Sequence, residues 1–156
     1  ETVPLASAKY FFANMITGMG STAIYQETGK SREEGRMGDL TRSSKSALDL
    51  YALKNPLVKL SLGSDDTYLS LGLFSEENRV EIEGEIGKIK DAALAIAGDI
   101  IREYSDEITA FAEEHLLNGE IMVRSEILEA LGELGVEPGH YYERMCDALS
   151  ELGYPV

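Results

Sequence analysis

The stretch SEENRVEIEGEIGKIKDAALAIAGDIIREY, residues 75–104, carries the clearest amphipathic pattern in the chain. Its apolar residues recur at alternating spacings of four and three, at Ile82, Ile86, Ile89, Ala93, Ile96, Ile100 and Tyr104. This spacing places them on one face of an α-helix, with acids and lysines opposite. Ser75 is a favourable N-cap, and Glu76 and Glu77 suit the positive end of the helix dipole. We therefore predict one continuous helix from near Ser75 to near Tyr104, with its isoleucines buried.

Helical spacing also marks the segments before this stretch. Apolar residues follow at helical spacing from Leu5 to Met19, after a proline that is harmless in a first turn. A second helix is predicted to begin at Asp39 and to end before Asn55-Pro56, because the residue before proline avoids helical geometry. Residues 26–38, QETGKSREEGRMG, are rich in glycine and charge and indicate a surface loop. Residues 57–72 indicate an irregular connection that includes at most a short strand.

The C-terminal third continues the helical pattern. A new stripe begins at Ser105 and runs through Leu116, and Asn118-Gly119 is typical of a helix end with left-handed geometry. Ser125 is predicted to cap a short helix through Leu131. Pro138-Gly139 breaks the chain, and a last amphipathic helix is marked by Tyr142, Met145, Leu149 and Leu152. The sequence therefore predicts an all-α domain of antiparallel helical hairpins.

Composition argues against several classes of partner. The 156 residues are 44% hydrophobic, enough for one core, and carry 28 acids against 14 bases, a net charge of −14. Nucleic acids and anionic membranes need a basic footprint, so we expect neither as a partner. No apolar run approaches the roughly 18 residues of a spanning helix, no signal peptide is visible, and the single Cys146 cannot form a disulfide within the chain. We expect a location in the cytoplasm or on the cytoplasmic side of a membrane.

Two glycine-containing motifs carry weak signals. Gly29-Lys30-Ser31 matches the end of a phosphate-binding loop, but the glycine that this loop needs five residues earlier is replaced by Ile24. TGMGST at 17–22 is a lone glycine pair, which is more typical of tight helix packing. Neither motif predicts nucleotide binding.

The titratable candidates also have simple structural explanations. His115 and His140 are far apart, and neither belongs to an H-E-x-x-H helix. His115 near a helix C-terminus suits the helix dipole, and Cys146 beside a methionine is typical of a packed thiol. Carboxylate pairs such as Glu33-Glu34 and Glu113-Glu114 are typical of solvated faces. From these residues alone, no complete active site is predicted.

Four segments, taken in order, carry a resemblance to a known family. They are GMGSTAIYQETG (18–29), GRMGDLTRSSKSAL (35–48), SEENRVEIEGEIGKIKDAALAIAGDIIREYSDEITAFAEEHLL (75–117) and EIMVRSEILEAL (120–131). Together they resemble the C-terminal peptidase region of FtsH-like, ATP-dependent zinc metalloproteases, the M41 family. The second segment is similar to a family pattern in which an Asp-Leu pair opens a helix, here Asp39-Leu40. The resemblance extends over about residues 5–133 of this chain.

This resemblance implies an M41 peptidase-like fold for residues 1–133 and a parent protein that degrades protein substrates as a homo-oligomer. Residues 134–156 have no counterpart in the family, and we expect them to form a helical extension packed on the same domain. The family's H-E-x-x-H histidines and its ATPase domain, which binds ATP, lie upstream, and this chain contains neither. We expect this chain alone to bind no zinc and no ATP, to contain no catalytic residue and to be inactive.

Asp39 therefore has two interpretations. As an N-cap it would accept a backbone N–H from Thr41 or Arg42, which is typically worth about 1 kcal/mol. The resemblance instead implies that Asp39 is the third zinc ligand of an intact parent enzyme. The chain as a whole has two interpretations as well. It is part of an FtsH-like zinc metallopeptidase, incomplete as given, or a non-catalytic helical module that keeps the fold for assembly or protein interaction.

Overall fold

The computed structural model describes residues 8–29, 33–55, 76–137 and 139–155, and of residues 27, 28 and 33–40 it describes the backbone alone. Numbered in chain order, the α-helices are α1 (Ala8–Gly18), α2 (Gly20–Thr28), α3 (Glu33–Lys54), α4 (Glu76–Glu103), α5 (Ser105–Phe111), α6 (Arg124–Glu133) and α7 (Tyr142–Glu151). A π-helical turn, Ala112–Leu116, continues α5. No strand occurs in these ranges, which confirms the all-α prediction.

Helix α4 confirms the prediction made for residues 75–104. It contains 28 residues, which corresponds to a length of about 42 Å. Ile82, Ile86, Ile89 and Ile96 are buried, and Ile100 is partly buried against the core. The N-cap predicted at Ser75 lies outside the described residues. Helix α4 is therefore the long central element against which the other helices pack.

The hydrophobic core lies where α1, α3, α4 and α7 meet. Helix α1 contacts α3, α4 and α7, whereas α2 packs mainly on α4. The largest fully buried apolar side chains come from all four of these helices and are Phe12, Met15, Leu50, Ile86, Ile96 and Leu149. Tyr154 also belongs to this cluster. Residues near the C-terminal end thus contribute to the same core as α1.

The structure corrects the loop predicted over residues 26–38. Helix α2 continues to Thr28 and ends at Gly29, which has a left-handed φ of 72°. Helix α3 then begins at Glu33, so the predicted start at Asp39 is wrong. Glutamate and arginine are good helix formers, and they make a charged segment compatible with a helix. The predicted end before Asn55 is confirmed at Lys54, and the connection predicted over residues 57–72 lies outside the described residues.

The C-terminal turns agree with the sequence in part. Gly119 has a φ of 76°, which confirms the helix stop predicted there. Helix α6 begins at Arg124, so Ser125 lies inside the helix and the cap predicted for it is wrong. The Glu126 carboxylate instead accepts the backbone N–H of Val123 at 2.9 Å. Within the described ranges, each helix is too short or too polar to cross a bilayer.

Candidate functional site

Asp39 lies within α3, six residues after the helix begins at Glu33. An N-cap residue has non-helical backbone geometry and stands just before the first turn. The N-cap interpretation of Asp39 is therefore wrong, because its backbone is already helical. The Asp39 side chain lies outside the description, and its role as a zinc ligand stays a prediction.

The turns that follow Asp39 anchor α3 to its neighbours. Ser43 is fully buried, and its hydroxyl donates a long hydrogen bond of 3.5 Å to the backbone carbonyl of Met15 in α1. The Lys90 ammonium of α4 donates to the Ser44 hydroxyl at 2.8 Å. A buried hydroxyl without such a partner would cost free energy, so these contacts match the serines to their positions. The backbone one turn after Asp39 is thus held against both α1 and α4.

The two histidines lie beside glutamates in different parts of the fold. Nδ1 of His115, in the π-helical turn, is 2.8 Å from Oε2 of Glu120. Nε2 of His140, just before α7, is 3.1 Å from Oε2 of Glu103. Among the side chains that the structure describes, no three from His, Cys, Asp and Glu come together as metal ligands. Those side chains by themselves do not fit a zinc site.

A polar cluster that the sequence analysis missed joins the end of α4 to the start of α7. The Tyr141 hydroxyl donates to Oε1 of Glu103 at 2.5 Å, and His140 contacts the other carboxylate oxygen of Glu103. One turn earlier in α4, the Asp99 carboxylate forms an ion pair with Arg144 of α7. These contacts join residues about 40 positions apart, and no local spacing rule connects them.

The electrostatics of this cluster favour a structural role. Burial, followed by the hydrogen bond to Glu103, raises the pKa of Tyr141 to about 12, because a phenolate would lie beside a carboxylate. The hydrogen bond from Arg144 lowers the pKa of Asp99 below its usual value. Both shifts move the group away from neutral pH. Tyr141 and Asp99 therefore keep fixed charge states and hold α7 on α4.

A second polar contact ties α7 to the first helix. The Lys9 ammonium donates to the Tyr142 hydroxyl at 2.8 Å. This hydrogen bond raises the pKa of Lys9, since it favours the charged ammonium. Cys146, one turn further along α7, is half-buried, as expected for a packed thiol.

The glycine motifs form no phosphate site in the described residues. Gly29 ends α2 with left-handed geometry, and Lys30 and Ser31 lie outside the description. Gly18 is buried, in line with close packing. A Cβ added at Gly20 would meet no atom within 4 Å, so packing does not require glycine there.

A groove of about 330 Å³ lies between α4 and α7. Alanines form much of its lining, and the charged residues are Arg144, Asp147 and Glu151. Arg144 is already paired with Asp99. The lining contains no histidine, cysteine or serine, so this groove offers no nucleophile and no imidazole base.

The turn between α5 and α6 exposes an apolar segment that the sequence analysis also missed. We call Leu116, Leu117, Ile121 and Val123 the turn patch. All four side chains are exposed, Leu117 by 77% and Ile121 by 97%. The signal in the sequence was the run of large apolar residues on both sides of Asn118-Gly119, at a predicted helix end.

The chain was also compared with known proteins. It has no significant match to a protein-family model, to a curated protein or to a solved structure.

Proposed function

We propose that this chain is part of an FtsH-like zinc metallopeptidase that degrades protein substrates, with an M41-like arrangement of helical hairpins. The sequence resemblance in four ordered segments is the basis of the proposal. One structural observation supports it: the helix that carries Asp39 is anchored on α1 and α4 by buried Ser43 and its neighbours. A ligand on an anchored helix would be held in position for a metal.

The other parts of such a site would have to come from outside this chain. Three protein ligands are usual for a catalytic zinc, and the described side chains do not supply them. The two histidines and the general-base glutamate would therefore belong to an H-E-x-x-H segment encoded before Glu1. Zinc in the parent enzyme would activate water and polarise the scissile carbonyl.

The first experiment reads the coding sequence before Glu1 and assays the full gene product for bound zinc and ATP-dependent casein degradation. We expect an H-E-x-x-H segment, stoichiometric zinc and proteolysis. In that protein, Asp39→Asn should abolish proteolysis and leave the fold unchanged, because a neutral amide is a poor zinc ligand. Full activity of the Asn variant would refute the assignment of Asp39.

The isolated chain is the matched control for the metal. After dialysis it should hold far less than one zinc per molecule, since Asp39 alone is a weak ligand. One tightly bound zinc per isolated chain would show that the ligand set lies within residues 1–156.

The second candidate function is a non-catalytic helical module for assembly or protein interaction. The exposed turn patch favours it, because large apolar side chains clustered on a surface are typical of interaction sites. A full gene product without H-E-x-x-H and without proteolytic activity would support this candidate over the first.

A further inference from the structure

The turn patch projects from the end of the π-helical turn. The backbone N–H of Gly119 donates to the Leu116 carbonyl at 3.1 Å, and that of Glu120 donates to the His115 carbonyl at 3.2 Å. The side-chain contact between His115 and Glu120 closes the same turn. The apolar residues on the two sides of Asn118-Gly119 thus belong to one closed turn and not to an open tail.

Exposure on this scale is unfavourable for a surface that only faces water. Burying a large aliphatic side chain contributes about 1.5–3 kcal/mol relative to leaving it exposed. Ile121 is 97% exposed and Leu117 is 77% exposed, so both retain most of this free energy for a contact with another molecule. Isolated exposed aliphatic residues are common, but four within eight residues form a patch of the kind found at interaction sites.

The charges around the turn patch restrict what can cover it. Residues 113–129 contain five glutamates and one arginine, which gives a net charge of −4 with His115 neutral. All five glutamates are exposed, namely Glu113, Glu114, Glu120, Glu126 and Glu129. An anionic membrane or a nucleic acid would be repelled by this surface. A second copy in a symmetric contact would bring two such sets of acids together.

We propose that the turn patch is a docking site for a partner protein whose surface presents apolar side chains flanked by lysine or arginine. The partner's apolar side chains would cover Leu117 and Ile121, and its basic groups would face the surrounding glutamates. Electrostatic complementarity of this kind mainly speeds association and selects the partner, while the apolar contacts supply most of the affinity. The inference stands apart from the peptidase proposal, because it involves neither Asp39 nor zinc.

The test uses the full chain and a fluorescein-labelled amphipathic peptide of leucine and lysine, with fluorescence anisotropy as the readout. A matched peptide of leucine and glutamate is the negative probe. We expect the leucine–lysine peptide to bind, and to bind at least about tenfold more weakly to the double variant Leu117→Ser/Ile121→Ser. Glu113→Gln/Glu129→Gln should weaken binding and reduce its salt dependence, because it removes two of the attracting charges.

The control variant is Val80→Ser, which removes an exposed aliphatic side chain from α4, far from the turn in sequence. It should bind the peptide as the wild type does. Circular dichroism checks that each variant keeps its helices, as expected for substitutions at exposed positions.

Several outcomes would overturn the proposal. The first two are no binding of the leucine–lysine peptide and equal binding of the leucine–glutamate peptide. Equal affinity for wild type and the Leu117→Ser/Ile121→Ser variant would show that the peptide binds elsewhere. Self-association in sedimentation velocity that this variant abolishes would assign the patch to a second copy. Binding to phosphatidylcholine vesicles that the variant abolishes, without peptide binding, would assign it to a membrane. None of these results would change the expectation for proteolysis by the parent enzyme.

Discussion

Replacing Ile89 with alanine tests the packing of α4 directly. Ile89 is 3% exposed within the core cluster. The substitution removes three carbon atoms, each worth about 0.8 kcal/mol of burial, and leaves a cavity that adds to the loss. The better helix propensity of alanine returns less than about 0.7 kcal/mol. We expect the free energy of unfolding to fall by about 2–4 kcal/mol, with a drop in melting temperature of roughly 4–16 °C for a domain of this size.

The assay is urea unfolding followed by circular dichroism, with Val80→Ala as the control on the same helix. Val80 is 59% exposed, so its substitution should change the free energy of unfolding by no more than about 0.5 kcal/mol. The m-value should be equal for wild type and both variants if unfolding stays two-state. A loss below about 0.5 kcal/mol for Ile89→Ala, or equal losses for the two variants, would mean that the register of α4 is wrong.

The remaining predictions concern polar groups and use the same urea assay. Tyr141→Phe should cost about 1 kcal/mol, because it removes the hydrogen bond to Glu103. Tyr154→Phe should be neutral or stabilising, since the buried Tyr154 hydroxyl has no hydrogen-bond partner among the described residues; a loss above about 1 kcal/mol would contradict this. Burial in both tyrosines, and in Tyr141 also the bond to Glu103, raises each folded-state pKa from 10.0 to about 12, so the neutral phenol is favoured in the native state. Their contribution to stability should thus be complete below about pH 10 and be lost as pH rises through about 12, and the double variant Tyr141→Phe/Tyr154→Phe should flatten this fall. Asp39→Ala should not show the loss of about 1 kcal/mol expected for a cap, because Asp39 lies inside α3; a loss of that size would restore the cap interpretation.

The accuracy of the sequence-based predictions depended on whether the signal was local. Helix α4 was predictable because its isoleucines repeat at a spacing that only a helix places on one face. The start of α3 was not, because Gly35 and Gly38 each cost about 1 kcal/mol relative to alanine and favour a later start. Once a helix is nucleated, each added residue gains one hydrogen bond, so a helix packed from Ser43 onward can extend towards its N-terminus.

The contacts of the polar cluster and the turn patch depend on tertiary structure. Glu103 and Tyr141 are 38 positions apart, and nothing in either segment predicts that they meet. Leu116 continues the apolar stripe of α5, yet it is exposed because the stripe extends beyond the helices that could cover it. The zinc-ligand role of Asp39 came from family resemblance alone, and it stays a prediction.

The contact between α1 and α7 has a consequence for synthesis on the ribosome. Chains emerge from the N-terminus at roughly 5–20 residues per second, and domains fold as units. The core around Phe12 and Met15 is completed by Leu149 and Tyr154, which are translated more than a hundred residues later. The apolar face of α1 would therefore stay incompletely covered for several seconds in the nascent chain. Chaperones that hold nascent chains would have that interval in which to bind it, and removing the last helix would make the exposure permanent.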